Sequence, residues 1–374
     1  MLTTPDAIRT LQRKLYTKAK QDPAYRFYAL YDKVWRADIL MFAYRLVRAN
    51  QGSPGVDGTN FEDIEQKIGI DTFLSELAQD LKHKTYHPSP VRRVMIPKAD
   101  GSMRPLGIPT IRDRVAQMAV KLVIEPIFEA DFCPNSYGFR PKKSAHDAVD
   151  DIADALHQGY TNVIDADLSK YFDSIPHAKL LAAVAERVVD SAILHVIKLW
   201  LKAPVIGEDE GGTRKNVGGG KANSKGTPQG GVISPLLANC YLHLLDRIWE
   251  KHQLRRKLQA HIVRYADDFV VLCRGKVDPP LAAVRHVLDR LDLTLNENKT
   301  HIVDARQESF NFLGFEIGMR KSWKSGKRYT HICPAAKSLA KIKERITQMT
   351  TRERTPIPLE NIVGSMNATL RGWT

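Results

Sequence analysis

Two adjacent carboxylates, Asp267 and Asp268, lie between two apolar runs that have the composition of β-strands. The runs cover residues 262–263 and 269–272, so the pair is predicted to lie at a tight turn between strands. Burial of two neighbouring negative charges would be unfavourable without a cation. Binding of a hard divalent metal ion would neutralise these charges most simply. The alternative interpretation is an ordinary hairpin with an exposed acidic turn.

A second group of carboxylates follows the apolar residues 163–164. Side-chain alternation puts Asp165 and Asp167 on the same face of this predicted strand. Carboxylates from two neighbouring strands can hold two magnesium ions about 3.5–4 Å apart, an arrangement that supports in-line displacement at phosphorus. One ion would lower the pKa of an attacking 3′-hydroxyl, and the other would hold a triphosphate. Asp165 and Asp173 stay open as alternative ligands.

Together these stretches resemble palm motifs of the group II intron-encoded reverse transcriptases, the first at residues 167–173 and the third at Tyr-Ala-Asp-Asp, residues 265–268. The metal ligands that the resemblance implies are the carboxylates of Asp167, Asp267 and Asp268 and the main-chain carbonyl of Leu168. The implied cofactor is a pair of Mg²⁺ ions, with Mn²⁺ as an alternative. Phe172 falls where the family places an aromatic ring that packs under the deoxyribose and clashes with a 2′-hydroxyl.

Residues 226–239 resemble the second palm motif of this family and are the most specific stretch in the chain. Small residues such as Gly230 would let the main chain approach the nucleotide and the template closely. Gln229 can form a hydrogen bond beside the incoming base or sugar. Residues 312–315, Phe-Leu-Gly-Phe, resemble the primer grip.

Two further blocks imply contacts with the triphosphate. Residues 90–109 contain two extended runs around an Asp-Gly pair, which predicts a hairpin, and they resemble the fingers hairpin of the family. Its cations Lys98 and Arg104 would grip the triphosphate. Residues 293–300 resemble the fourth palm motif, in which Lys299 would protonate the leaving pyrophosphate.

The resemblance also implies nucleic-acid contacts, which are assigned to Asn50, Gly52, Arg112 and Arg140. The first two belong to a loop rich in Gly and Pro, residues 50–59, which resembles a motif that lies over the template. Arg140 lies in residues 137–141, which match the motif between fingers and palm, where it would contact template phosphates. The ordered blocks span residues 50–315.

These motifs require a scaffold of helices and short strands. Apolar spacing predicts helices in the first fifty residues and over residues 115–128, 145–157 and 234–250, and strands at residues 162–164 and on either side of the acidic turn, at 262–263 and 269–272. Residues 203–225, rich in Gly, Lys and Asn, are predicted to be a flexible surface insertion. The predicted fold class is α+β. The resemblance implies a right-hand polymerase fold with fingers, a palm that carries a small antiparallel sheet, and the start of a helical thumb.

Three regions follow from this assignment. Residues 1–88 form an N-terminal extension and the start of the fingers, and residues 89–318 form the fingers and palm of the reverse transcriptase domain. Residues 319–374 form the start of the thumb or maturase region, with Leu-Arg-Gly-Trp at residues 370–373 as its mark. Members of the family continue further, so the chain is expected to be truncated or naturally shortened.

The net positive charge of the chain is concentrated at its two ends. The 374 residues include 56 Lys and Arg against 42 Asp and Glu, a formal net charge of +14. Residues 1–50 contain ten basic and four acidic side chains, and residues 319–374 contain twelve and three, so the middle is close to neutral. This favours basic ends that hold a polyanion around a site with its own carboxylates, and a merely soluble basic surface is the alternative. The composition excludes a disordered or collagen-like chain.

Cysteine spacing and hydropathy indicate the compartment. The four cysteines form no Cys-x-x-Cys pair, which argues against a zinc knuckle or a disulfide framework and favours a reducing compartment. The sequence starts without a cationic leader followed by a long apolar run, and no stretch approaches about 18 apolar residues. A cytoplasmic protein without a membrane partner is expected.

The predicted reaction is RNA-directed DNA synthesis, in which deoxynucleoside triphosphates are added to a primer 3′-hydroxyl on an RNA template to give an RNA–DNA hybrid. Group II intron RNA and target DNA are further implied partners, for splicing and for retrohoming of a mobile genetic element. The alternatives are an RNA-dependent RNA polymerase, a splicing cofactor (maturase) with secondary polymerase activity, and a reverse transcriptase of antiviral defence or CRISPR systems. The oligomeric state is left open.

Overall fold

The computed structural model describes residues 2–97, 101, 103–208 and 213–373. Its helices are α1 (Asp6–Gln21), α2 (Tyr31–Val34), α3 (Ala37–Ala49), α4 (Ile70–His83), α5 (Ile111–Glu129), α6 (Ala145–His157), α7 (Tyr171–Ser174), α8 (His177–Ala185), α9 (Ser191–Leu201), α10 (Ser234–Lys251), α11 (Leu254–Lys257), α12 (Asp278–Arg290), α13 (Ala336–Met349) and α14 (Leu359–Trp373). Its strands are β1 (Val91–Pro97), β2 (Met103–Ile108), β3 (Asn162–Ala166), β4 (Val205–Glu208), β5 (Arg214–Gly218), β6 (Ala260–Tyr265), β7 (Asp268–Cys273), β8 (His301–Asp304), β9 (Phe310–Phe312), β10 (Phe315–Lys321) and β11 (Arg328–Pro334). This mixture confirms the predicted α+β class.

The N-terminal helices pack around α5. Helical spacing in the first fifty residues correctly predicts α1 and α3, and both helices contact α5. The side chain of Thr110 caps the first turn of α5, whose side chains are buried on most sides because the helix is apolar around most of its circumference. Residues 50–58 form the predicted loop. Arg114 holds this loop against α5 by donating to the carbonyls of Gln51 (3.4 Å) and Ser53 (2.6 Å).

A four-stranded sheet in the order β2-β1-β4-β5 contains the predicted fingers hairpin. β1 and β2 pair in antiparallel fashion, as predicted, while the turn residue Asp100 lies outside the described residues. The prediction of a flexible insertion over residues 203–225 is wrong where β4 and β5 form. β4 runs parallel to β1, with Val205 opposite Val91, so main-chain hydrogen bonds to an open sheet edge fix this segment.

The sheet β6-β7-β3-β8 is antiparallel throughout and contains the two strands predicted beside the carboxylates. Ala166 of β3 lies opposite Phe269 of β7. One residue further along, the same register places Asp167 opposite Asp268. The pairing of two strands that are about a hundred residues apart in sequence therefore brings the two predicted carboxylate groups together.

The strands β6, β7 and β3 of this sheet are buried on both faces, because they are apolar at successive positions. Ile164 and Val271 face the larger core, which includes the N-terminal helices, α5 and α10. Val163 and Leu272 face a smaller core with α6 and the sheet β11-β10-β9. Two packed layers thus fix the strand ends that carry the carboxylates.

The C-terminal part of the chain begins at the predicted primer grip. Residues 312–315 lie where β9 turns into β10, and β10 and β11 form a hairpin that leads into α13 and α14. The thiols of Cys133, Cys240 and Cys273 are buried, and Cys333 is half-buried. In the described part of the chain, we find no helix with the length and apolar character that a membrane span requires.

Candidate active site

The turn between β6 and β7 carries the predicted catalytic pair. Tyr265 and Asp268 form the last pair of the β6–β7 ladder, so Ala266 and Asp267 make a two-residue turn. Ala266 has a left-handed backbone with φ of 58°, the conformation that a tight hairpin turn between twisted strands requires. The main chain at Gly138 packs directly on this turn, since a Cβ there would lie 2.8 Å from the carbonyl carbon of Tyr265 and overlap the Ala266 nitrogen.

The carboxylates of β3 and of this turn form one negatively charged group. Desolvation and repulsion from the neighbouring aspartates raise the pKa of Asp268 to about 6. Desolvation, with a further contribution from Asp167, also raises the pKa of Asp165 to about 6. The pKa of Asp267 is raised by the same two causes. Carboxylates whose pKa is raised by one another gain from a bound cation, so the group is electrostatically suited to a divalent metal ion.

The carboxylate of Asp167 also contacts the segment after α12. The side-chain amide of Asn296 donates to Oδ2 of Asp167 at 3.1 Å, and Nζ of Lys299 lies 3.7 Å from the same oxygen. Over residues 2–97, 101, 103–208 and 213–373, no three His, Cys, Asp or Glu side chains already surround one point. The fit to a metal ion therefore rests on the chemistry of the donors, because carboxylate oxygens are the ligands that Mg²⁺ prefers.

A buried network that the sequence analysis missed supports the turn. Arg264, with no exposed surface, donates to the carboxylate of Asp246 from Nη2 (2.6 Å to Oδ2) and from Nε (3.1 Å to Oδ1). Its remaining hydrogen bonds run to Asn239 Oδ1 (3.0 Å), the carbonyl of Ala266 (2.9 Å) and Ser136 Oγ (2.7 Å). All five N–H groups of the guanidinium are thereby used. In the sequence, this network is indicated by a single arginine within the apolar strand that precedes the turn.

The predicted nucleotide-binding residues form a bridge between fingers and palm. Nε of Arg104 donates to Oε1 of Gln229 at 2.8 Å, and Nε2 of Gln229 donates to Oδ1 of Asp173 at 3.2 Å. Gly230 has φ of 110°, and an added Cβ would overlap the carbonyl oxygen of Gly107. The absence of a side chain at residue 230 thus lets the loop that contains it pack closely against β2, a contact that the sequence does not indicate. Lys98 lies outside the described residues.

This geometry agrees with comparisons to known proteins. The family model described as "Reverse transcriptase (RNA-dependent DNA polymerase)" matches residues 96–317. The chain belongs to the reverse transcriptase family. It therefore has the right-hand polymerase fold of that family, and the matched residues include the end of β3 and the β6–β7 turn, which carry the carboxylates.

Relatives place this reverse transcriptase in the group II intron type. "Protein YkfC" of Escherichia coli (strain K12) is 34% identical over 368 residues, which cover 88% of this chain and 93% of that protein. "Group II intron-encoded protein LtrA" of Lactococcus lactis subsp. cremoris is 31% identical over 363 residues, or 79% of this chain and 57% of that protein. A solved structure titled "Partial Cas6-RT-Cas1--Cas2 complex" matches 70% of this chain and 40% of that chain, with a TM-score of 0.39 and 21% identity.

Two predicted palm residues of the reverse transcriptase lie just after β3. Leu168 is buried and pairs with Leu295 in an isolated antiparallel bridge. Phe172 is half-buried against the larger core, and its carbonyl accepts a hydrogen bond from the amide of Thr227 at 2.7 Å. The main chain of Phe172 is therefore fixed to the segment that resembles the second palm motif, while its ring packs against Tyr171.

Of the four predicted nucleic-acid contacts of the reverse transcriptase, two are exposed and two are partly or largely buried. Asn50 and Gly52 are exposed in the loop over α5, so they are accessible to a template. Arg112 forms an ion pair with Asp80 and is half-buried. The side chain of Arg140 is 8% exposed.

The prediction that Arg140 contacts template phosphates does not fit its surroundings. Its guanidinium donates to both carboxylate oxygens of Glu129 and to the carbonyls of Cys133 (2.9 Å) and Ser136 (2.6 Å). A buried cation needs such internal partners, which leave the side chain turned away from an external phosphate. Arg140 acts here as a positioning residue for the segment that leads to Gly138.

Proposed function

We propose that this chain catalyses RNA-templated DNA synthesis at the aspartate cluster, with two Mg²⁺ ions held by the carboxylates of Asp167, Asp267 and Asp268 and by the carbonyl of Leu168. The observation that supports this most directly is the proximity of these aspartates, where desolvation together with repulsion from the neighbouring carboxylates raises the pKa of Asp268 to about 6. When bound, the ions would activate the primer 3′-hydroxyl and neutralise the charge that develops on the triphosphate.

The residues of the chain would orient the reactants and transfer a proton. Arg104 and Gln229, already joined by a hydrogen bond of 2.8 Å, would receive the triphosphate and sugar of the incoming nucleotide. Phe172 would lie against the sugar and exclude a 2′-hydroxyl. Lys299 would donate a proton to the leaving pyrophosphate, for which its exposed ammonium near Asp167 is suitably placed.

Primer extension with the Asp267→Asn variant tests this function. The variant removes one carboxylate without changing side-chain volume, so extension on an RNA template in Mg²⁺ should fall by about three orders of magnitude or more. The exposed Asp289→Asn on α12 is the matched control and should retain activity. Full-length cDNA from Asp267→Asn would contradict the assignment, provided that thermal unfolding shows both variants to be folded.

We further propose that the chain binds group II intron RNA, and target DNA during retrohoming. The relative named after a group II intron supports this role, and the basic ends of the chain supply the charge for phosphate binding. Filter binding with a group II intron RNA and an unrelated structured RNA of equal length would test it. Equal dissociation constants at 150–200 mM salt, chosen because non-specific binding weakens there, would argue instead for the CRISPR or defence alternative.

A further inference from the structure

The β10–β11 hairpin ends in a tip that is strongly basic and carries an exposed indole. We define this basic tip by Arg320, Lys321, Trp323, Lys324, Lys327, Arg328 and Tyr329. Trp323 is 87% exposed and Tyr329 is 45% exposed. The sequence contains no Asp or Glu from residue 317 to residue 343. A large exposed aromatic side chain within a patch of one sign of charge marks an interaction surface.

Hydrogen bonds hold the turn of the basic tip in one conformation. The amide of Ser322 donates to the carbonyl of Lys327 at 2.9 Å, and the amide of Gly326 donates to the carbonyl of Ser322 at 2.9 Å. Gly326 has φ of 68°, which suits a glycine at the end of the turn. Trp323 follows the first of these anchored residues, so a fixed turn presents its ring to solvent. Little backbone entropy remains to be lost when the tip binds a partner.

The charges of the hairpin are arranged in a way that favours an anionic partner. Lys321 lies directly opposite Arg328 in the β10–β11 register, and like charges at such positions destabilise a strand pair. Lys324 adds a third cation, with Nζ 5.1 Å from the centroid of the Trp323 ring. A chain of phosphates would relieve this repulsion, and its bases would supply rings that can stack on the indole.

We propose that the basic tip is a binding site for single-stranded RNA, with the ring of Trp323 stacked on an unpaired base and the surrounding cations on the adjoining phosphates. A single strand is the fitting form because its bases are free to leave their own stack, whereas the bases of a duplex are not. The choice of RNA as the polyanion rests on the proposed function. The site itself rests on the exposed indole, the fixed turn and the opposed cations.

The basic tip is separate from the polymerase centre along the chain. β10 starts at Phe315, next to the predicted primer grip, and Trp323 follows eight residues later. A strand rises about 3.4 Å per residue, so the indole lies roughly 25 Å along the hairpin from that point. Base stacking at the tip would therefore hold RNA several nucleotides away from the primer grip, a distance that a local template contact does not span.

Binding of labelled oligonucleotides to the full chain tests this proposal. The probes are a 20-nucleotide single-stranded RNA, the same strand with abasic sites throughout, and an RNA–DNA hybrid of equal length. Trp323→Ala should weaken binding of the single-stranded RNA roughly 5- to 150-fold, which is the range for loss of one base stack. Trp323→Phe should lose only a small part of the affinity. Tyr28→Ala is the matched control, since Tyr28 is 70% exposed but lies outside the basic tip.

The effect of Trp323→Ala on the affinity for each of the three probes tests the proposal. The abasic strand should bind wild type and Trp323→Ala equally, because it has no base to stack. An equal loss with the abasic strand, an equal loss with the hybrid, or no difference between Trp323→Ala and Tyr28→Ala would each overturn the proposal. Emission of Trp323 should also be quenched by the RNA in wild type, and that quenching should be absent from Trp323→Phe.

The assay separates this site from the proposed polymerase function. It is performed without nucleotides, and it is repeated in the Asp267→Asn background, where the proposed catalytic site is disabled. The Trp323 dependence should persist there, so a failure of the polymerase assignment would leave the binding result intact. Replacing Lys321, Lys327 and Arg328 together by alanine should reduce the salt dependence of log K by about two, since each phosphate contact contributes about 0.7 for a single strand.

Discussion

Arg264 and Asp246 form an ion pair in which neither side chain has any exposed surface, with Nη2 of the arginine 2.6 Å from Oδ2 of the aspartate. The same guanidinium donates to the carbonyl of Ala266 at 2.9 Å. One buried cation thus links α10 to the main chain of the turn that carries the proposed catalytic aspartates. Because every N–H of Arg264 has a partner, the network can fix the turn in one position.

Asp246→Asn should destabilise the fold by about 3–5 kcal/mol, because it leaves the buried charge of Arg264 without its counter-ion. Chemical denaturation followed by circular dichroism measures this change. Glu297→Gln is the matched control, since it breaks the exposed pair with Arg285 (2.8 Å) and should change the free energy of unfolding by less than about 1 kcal/mol. Similar changes in the two variants would show that the buried pair is unimportant.

Gly138→Ala should lower the kcat of primer extension, because the new Cβ would overlap the Ala266 nitrogen and displace the catalytic turn. We expect a loss of about 100-fold, which is typical when a reacting group is misplaced by about 1 Å. The control is Gly275→Ala, where an added Cβ meets no atom within 4 Å. Unchanged kcat in Gly138→Ala would mean that the turn can move without loss of activity.

Phe172→Ala should relax the selection of deoxyribonucleotides over ribonucleotides, because removal of the ring opens space for a 2′-hydroxyl. The ratio of kcat/KM for the two nucleotide classes is the measurement, and each enzyme serves as its own control. We expect the ratio to fall by at least tenfold. Efficient use of ribonucleotides by the unaltered protein would instead favour the RNA-dependent RNA polymerase alternative.

His243 should make the stability of the protein depend on pH between about 4 and 6.5. Burial, together with the nearby arginines, lowers the pKa of His243 to about 4. The unfolded state therefore binds a proton more readily, so the stabilisation is complete above about pH 6.5 and is lost as the pH falls towards 4. The shift corresponds to about 3 kcal/mol.

His243→Gln should remove that part of the pH dependence, measured as the difference in unfolding free energy between pH 4 and pH 7. His252→Gln, in the exposed turn after α10, is the control and should leave the wild-type dependence unchanged. If wild type and His243→Gln lose stability in parallel on acidification, the neutral state of His243 does not contribute to the fold.

Much of the proposed active site could be located from sequence because its signals are local. Asp267 and Asp268 are recognisable from the apolar strands on either side, and Asp167 is recognisable from the strand before it. The same holds for α10 and for the hairpin of β1 and β2, where apolar spacing and a turn dipeptide lie within a few residues. Local patterns of this kind determine element type and the position of carboxylates at strand ends.

The partners of the buried cations were decided only by the tertiary structure. Arg264 meets Ser136, which is 128 residues away in sequence, and Arg140 turns inward to Glu129 although its motif predicts an external phosphate. The strand order of the fingers sheet also depends on a long-range contact, since β4 pairs with β1 across more than a hundred residues. Charge and propensity act locally, whereas burial and strand pairing depend on segments that only folding brings together. The sequence by itself thus determined which residues could do the chemistry, and packing decided which of them lie at the proposed active site and which are buried behind it.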